Sequence, residues 1–175
     1  MKNKKLVLVL IAVLVVFAAL TLVILKQNAF FVLRQFDKAS SSDVSLGDSA
    51  ENIDTEVYRE YNDGFFGFSM YRRSDACCEL KVSSFPDAFF GSARVTGIYI
   101  TNASADMHIL GIKVGSNAKD LYAAIKAHGY KIEKGSEQIV VARKGKLTIK
   151  AELEDNTVTK ISATLTSSNI LRVQY

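Results

Sequence analysis

Residues 145–165 read GKLTIKAELEDNTVTKISATL. Leu147, Ile149, Ala151 and Leu153 alternate with Lys146, Thr148, Lys150, Glu152 and Glu154. Successive side chains of a strand point to opposite faces, so this is a strand with one buried and one wet side. Asp155-Asn156 then turns the chain, and Ile161, Ala163 and Leu165 alternate again. An antiparallel hairpin with one apolar face needs a cover on that face. Upstream, residues 138–143 are rich in β-formers and Lys144-Gly145 marks a further turn. Further upstream, Ser116 is a good N-cap and Gly129 a natural residue just past a helix end. Between them Ala118, Leu121, Tyr122 and Ile125 form one apolar stripe at helical spacing. The stretch therefore reads α-β-β-β, an antiparallel meander with a helix on one face.

The same plan recurs earlier in the chain. Val44-Ser45-Leu46-Gly47-Asp48-Ser49-Ala50 matches Ile112-Lys113-Val114-Gly115-Ser116-Asn117-Ala118 at an offset of 68, and Arg94–Ile98 matches Thr157–Ile161 at an offset of 63. In the first unit Asp48 and Glu51 suit a helix start, Phe66, Phe68 and Met70 alternate, and so do Cys78, Leu80 and Val82. Residues 96–101 complete three strands. The expected fold class is α+β: an N-terminal transmembrane helix, then two α-β-β-β units (44–105 and 106–175) with antiparallel sheet and helix on one face.

Apolar-x-apolar-Gly-polar, then a helix, then a meander ending in Val-Thr-x-Ile, resembles small extracytoplasmic modules of bacteria. It is similar to the SmpA/OmlA-type outer-membrane lipoprotein domain and, as a tandem, to the secreted β-lactamase inhibitor protein family. The resemblance spans residues 44–165 and rests on scaffold positions. It implies a non-catalytic module that works by binding other proteins, and it transfers no functional residue. A helical segment here replaces the lipobox of those lipoproteins.

That segment is residues 6–25, in which sixteen Leu, Val, Ile or Phe are joined by three Ala and Thr21. Twenty such residues at about 1.5 Å each match the roughly 30 Å hydrocarbon core of a bilayer. The apolar run exceeds that of a cleaved signal peptide, and Gln27-Asn28-Ala29 is a poor cleavage site, so an uncleaved signal-anchor is expected. Lys2, Lys4 and Lys5 favour a cytoplasmic N-terminus. This gives a cytoplasmic tail (1–5), a span (6–25), an interfacial helix extension and polar linker (26–43), and an extracytoplasmic bulk in a single-pass protein of the cell membrane. Phe30, Phe31, Val32, Leu33 and Phe36 read as aromatic anchoring at the interface, or as a partner-binding helix.

The chain has 175 residues and a net charge of +4, with a mean hydropathy of +0.13. Its first 25 residues carry three lysines and no acid. The rest of the chain is nearly neutral, with no general basic face for nucleic acid.

Catalytic patterns are scarce. His108 and His128 lack metal spacing, and His128 suits the end of a helix. Cys77-Cys78 admits two reduced thiols, a vicinal disulfide or an intermolecular bridge. With a strand starting there, Cys78 points to the core and Cys77 outward. No nucleophile elbow, phosphate-binding loop or dinucleotide fingerprint occurs. Neither a catalytic residue, a cofactor nor a metal ligand is expected.

Ten of the seventeen aromatic residues fall between Tyr58 and Tyr99. Phe85, Phe89 and Phe90 sit in a loop with Pro86 and Gly91, either as an exposed contact patch or as a plug on the core. The candidate partner-binding residues are Phe85, Phe89 and Phe90 with Lys146, Lys150, Glu152 and Lys160 on the wet sheet face. The expected function is a membrane-anchored, non-catalytic module that binds an envelope or extracellular protein. The alternatives are an envelope enzyme or its regulatory subunit, and an assembly component that oligomerises through its anchor and residues 30–36.

Overall fold

Asp155 and Asn156 take φ of 47° and 60°. Two left-handed residues in succession close a two-residue hairpin whose twist suits its strands. In the computed structural model, which describes residues 10–21, 29–62, 68–83, 93–103 and 107–165, this hairpin joins the last two of eight strands. The strands are β1 (Tyr58–Asn62), β2 (Phe68–Arg73), β3 (Cys78–Ser83), β4 (Arg94–Ile100), β5 (Lys131–Gly135), β6 (Ile139–Lys144), β7 (Leu147–Glu154) and β8 (Thr157–Leu165). The described helices are α1 (residues 10–21), α2 (Ala29–Ala39) and α3 (Ala118–Ala127), with one 3-10 turn at Ala50–Asn52.

All eight strands form one antiparallel sheet in the order β1-β2-β3-β4-β8-β7-β6-β5. Two four-stranded meanders run in from opposite edges and meet at the β4–β8 pair. The expected pair of three-stranded units, each with its own helix, is thereby corrected: the sheet is single, each meander has a fourth strand, and the first carries only a 3-10 turn where the second has α3. β1 and β5 are the added strands, and both are sheet edges.

The sequence match between residues 44–50 and 112–118 corresponds to one shared set of hydrogen bonds. Gly47 N donates to Val95 O at 2.8 Å, and Gly115 N to Val158 O at 2.7 Å. Val95 N donates to Asp48 O at 2.9 Å, and Val158 N to Ser116 O at 2.8 Å. Ala50 N donates to Ala93 O at 2.9 Å, and Ala118 N to Asn156 O at 2.8 Å. Gly47 and Gly115 have φ of 91° and 95°, a region that only glycine enters cheaply. Each segment is thus clipped to the last strand of its own meander in the same way.

The core lies on one face of the sheet. Leu80, Ile98, Ile149 and Ile161 from the strands meet Leu121 and Ile125 of α3, Val32 and Phe36 of α2, and the buried segment Met107–Ile112. Burying an aliphatic side chain of this size contributes about 1.5–3 kcal/mol. Residues 29–39 are therefore not an interfacial extension. Val32, Leu33 and Phe36 fall on one helical face and are buried, so these three pack on the core and are not surface anchors or oligomer contacts, while residues 26–28 of the expected extension lie outside the described residues.

The membrane placement is corrected as well. Among the described residues no helix is long and apolar enough to cross a membrane. The described part of α1, residues 10–21, gives about 18 Å of helix against a hydrocarbon core of about 30 Å. Residues 1–9 and 22–28 lie outside the described residues. The span 6–25, the signal-anchor and the single-pass cell-membrane localisation all required the longer helix.

α3 begins one residue later than the sequence suggests. Asn117 is its N-cap, accepting from Lys119 N at 2.9 Å, while Ser116 Oγ accepts from Lys113 N at 3.0 Å. Its end is a Schellman motif: Tyr130 N donates to Ile125 O and Gly129 N to Lys126 O, with Gly129 at φ 72°.

Candidate functional site

Cross-strand partners share a face of a sheet. One such row crosses all eight strands: Arg59 faces Arg72, Arg72 faces Glu79, Glu79 faces Tyr99, Tyr99 faces Ser162, Ser162 faces Lys150, Lys150 faces Val141 and Val141 faces Lys134. These residues lie opposite the core face. The buried sides of α2 and α3 pack on the core face, so among the described residues no helix covers this outer one.

The half built by β1–β4 carries aromatic rings there, two of them beside a cation. The Arg72 guanidinium lies 4.6 Å from the centre of the Tyr61 ring. Arg72 Nε donates to Glu79 Oε1 at 2.9 Å, with Nη2 2.8 Å from the same oxygen. Tyr61 Oη donates to Glu79 Oε2 at 3.2 Å. Glu79 thus holds Arg72 and Tyr61 together, and the hydrogen bond to Glu79 raises the Arg72 pKa further. Beside them Lys81 Nζ lies 4.1 Å from the Phe68 ring centre. Cation–π contacts of this kind are worth about 0.5–1 kcal/mol at exposed sites.

Tyr99 lies over Gly97. A Cβ at Gly97 would stand 2.8 Å from Tyr99 Cε2 and 3.1 Å from both Tyr99 Oη and Lys81 Cβ. Gly97 leaves the space in which the Tyr99 ring rests on the sheet, an aromatic filling the gap beside a strand glycine. Burial of the ring raises the Tyr99 pKa.

The half built by β5–β8 is hydroxyl-rich and charged. Lys150 Nζ lies 2.8 Å from Glu152 Oε1, and Lys160 Nζ 3.7 Å from Glu152 Oε2. The hydrogen bond from Lys150 holds the Glu152 carboxyl below its usual range. Three of the sequence-derived candidates, Lys150, Glu152 and Lys160, are thus one exposed cluster. Lys146 is apart from them, in the β6–β7 turn at the far end of β7. Phe85, Phe89 and Phe90 lie outside the described residues. Arg143 adds a contact to Glu133 at 3.3 Å and donates to Thr148 Oγ1 at 3.3 Å.

Charge on this face is one-sided. Around β1–β4, Arg59, Arg72 and Lys81 stand against Glu79. Around β5–β8, Lys131, Lys134, Arg143, Lys150 and Lys160 stand against Glu133, Glu152 and Glu154. The segment 43–56, clipped to the start of β4, has five acids and no base.

Sequence reasoning missed Tyr61, Phe68, Arg72, Glu79, Lys81 and Tyr99. It read Phe68 and Met70 only as an alternating pair, without their face; Ser69 and Tyr71 pair with core-facing Val82 and Leu80, which turns Phe68 and Met70 outward. The clear Cys78-Leu80-Val82 phase carried the signal, because antiparallel neighbours share it.

The thiols are not exposed. Both are free, and both are buried, which corrects the outward placement of Cys77. Arg73 Nη1 donates to Cys77 Sγ at 3.4 Å, and Cys77 Sγ lies 3.6 Å from Met107 Sδ. Arg73 is itself held by Asp43 at 3.1 Å. Burial pushes the Cys78 thiol up to about 12 and raises Cys77 as well, so neither is a ready nucleophile at neutral pH. His128 caps α3, and His108 Nδ1 accepts from Gly111 N at 3.2 Å. Among the described residues no group of three His, Cys, Asp or Glu could hold a metal ion. The outer face offers recognition chemistry: rings, guanidinium, lysines and hydroxyls on a hydrogen-bonded floor. No protein-family model, no curated protein and no solved structure matches this chain.

Proposed function

We propose that this chain is a non-catalytic protein-binding module whose contact surface is the outer face of its sheet, and that the partner presents an acidic surface. The observation that carries this reading is the Tyr61–Arg72–Glu79 and Phe68–Lys81 cluster on a face that no described helix covers. Tyr and Arg dominate the energetics of protein interfaces because they bring large contact area with a polar end. Here Glu79 already orders the arginine, which lowers the entropy cost of docking. The excess of cations favours an acidic partner through steering of the encounter. The resemblance read from residues 44–165 points to the same class of function.

Photo-crosslinking from benzoylphenylalanine placed at 81, at 150 and at 119 in the full chain tests it. Positions 81 and 150 should yield an adduct of one mass with one acidic protein, and position 119 on α3 should not. Replacing Tyr61 and Arg72 together by Ala should cut the adduct by roughly tenfold or more. Equal adducts from 119, or indifference to the double substitution, would defeat the proposal.

A further inference from the structure

On the helix-covered side, away from the outer face, lies a shallow, open cavity of about 650 Å³. The end of α2 (Gln35, Lys38, Ala39), the turn Leu110-Gly111, the end of α3 (Ala127, His128, Gly129) and Lys144 of β6 line it. The lining includes two lysines and a histidine but no carboxylate.

Lys144 is its half-buried cation. Its Nζ donates to Gln35 Oε1 and to His128 O, each at 2.7 Å. Both acceptors are neutral, and the only other partner of the charge among the described residues is the Tyr130 ring, its centre 5.6 Å from Nζ. Burial lowers the Lys144 pKa, and among the described residues no acid acts to restore it. Desolvating an ammonium without a counter-charge is unfavourable, and proteins usually answer such a charge with a carboxylate.

Helix ends account for only part of this charge. Two helices terminate at the cavity, and each C-terminus carries about half a negative charge. Two lysines exceed that sum, and the carbonyls that close α3 are already taken: Ala124, Ile125 and Lys126 accept from the backbone N–H of residues 128, 130 and 129, and His128 accepts from Lys144. A net positive charge is left facing the cavity. Its walls otherwise offer Ala39, Leu110 and Ala127, apolar surface suited to a short hydrocarbon body. The volume falls within the roughly 300–1,000 Å³ of small-molecule sites and exceeds what a bare ion needs.

We propose that this cavity binds a small organic anion, a carboxylate or phosphate head on a short apolar body, with Lys144 and Lys38 holding the head. It is a second site, independent of the sheet-face reading.

Calorimetric titration of the full chain with hexanoate, hexyl phosphate, inorganic phosphate and hexylammonium tests this, with amide shifts read in parallel. Hexanoate or hexyl phosphate should bind saturably, at least about tenfold tighter than hexylammonium, and should move the amides of Gly111, Gly129 and Lys144. The stronger of the two names the head group. Hexyl phosphate should bind more tightly than inorganic phosphate; equal affinity would remove the apolar body from the proposal. Lys144→Gln should weaken binding by roughly tenfold and Lys38→Gln by about threefold. Lys38 is exposed and does not cap α3, so its variant keeps the test valid should Lys144→Gln misfold. No saturable binding by either hexyl anion, equal binding of hexylammonium, or unchanged affinity in folded variants would overturn the assignment.

Discussion

The two meanders share their wiring and differ in everything attached to it. In both, a left-handed glycine and the residues after it are clipped to the meander's last strand by the same three hydrogen bonds. The second half adds the ten-residue α3 over its strands. The first half has a single 3-10 turn there, and Ile53, Val44, Leu46 and the segment Met107–Ile112 fill in. On the outer face the first half shows rings over cations, and the second shows threonines, serine and an exposed ion cluster. Three of the six clip donors, Val95, Val158 and Ala118, belong to buried residues, where an N–H needs its acceptor, so the clip tolerates little variation. A side chain facing solvent is under no such demand, so the surfaces are free to differ while the frame stays fixed.

Thinning the helical cover should separate the two halves most. Leu121 of α3 is 1% exposed, and Leu121→Ala should cost about 2–5 kcal/mol through lost transfer energy and the cavity left behind. Ile53 is 6% exposed and belongs to an irregular cover that can settle, so Ile53→Ala should cost less. Urea unfolding of both variants measures the difference. Equal losses would mean that the 3-10 cover of the first half is as rigid as α3.

Alkaline pH should strike the first half first. Cys78 is pushed up to about 12 by burial, above its ordinary value. Its contribution is complete below the unfolded thiol pKa near 9 and is lost as pH rises toward 12. Stability should then fall by on the order of 1 kcal/mol per pH unit in that window. Cys78→Ala should flatten the pH dependence of the urea midpoint between about pH 9 and 10, below the range where the buried Tyr58, Tyr99 and Tyr130 add their own slope, at the expense of a lower plateau. The second half holds no thiol, so a slope that survives the substitution unchanged would assign the effect to other groups.

The smallest effect tests the shared wiring. Gly47→Ala and Gly115→Ala each force a side chain into φ above 90°. A Cβ meets only Leu33 Cδ1 at 3.5 Å in the first case and nothing in the second. Both should therefore lose about 1–2 kcal/mol from backbone strain alone. Thermal unfolding of the pair should give losses within about 0.5 kcal/mol of each other, and a wider gap would show that the clips differ in energy although they match in geometry.

How much of the fold was legible depended on whether each segment has two neighbours. β7 and β3 are flanked on both sides and covered on one face, so Leu147-Ile149-Ala151-Leu153 and Cys78-Leu80-Val82 alternate cleanly. β1 (YREYN) and β5 (KIEKG) each have one partner, and every residue of β5 is exposed. Neither carries an apolar period to read, and the lysines of β5 suit an edge that must not recruit another strand. α2 was hidden differently: its Val32, Leu33 and Phe36 come directly after an apolar run, and only the sheet reveals that they face inward. The outer-face cluster was half legible. Lys150, Glu152 and Lys160 emerge from alternation within single strands, whereas Tyr61 with Arg72 and Phe68 with Lys81 depend on register between strands. The cavity was invisible, since Lys38 and Lys144 are far apart in sequence and read singly as solvated charges.

The strand order also governs how the chain can fold during synthesis. Six of the seven strand pairs join neighbours along the chain, and only β4–β8 is long-range. The first meander can zip as it leaves the ribosome, but its final strand then waits with Ile98 and Ile100 beside an open edge. Their partners, Ala163 and Ile161, are among the last described residues to be made. Throughout that interval a nascent chain displays an unpaired apolar strand, the feature most prone to pair with a neighbouring copy. The centre of the finished sheet is the most exposed part of the unfinished one.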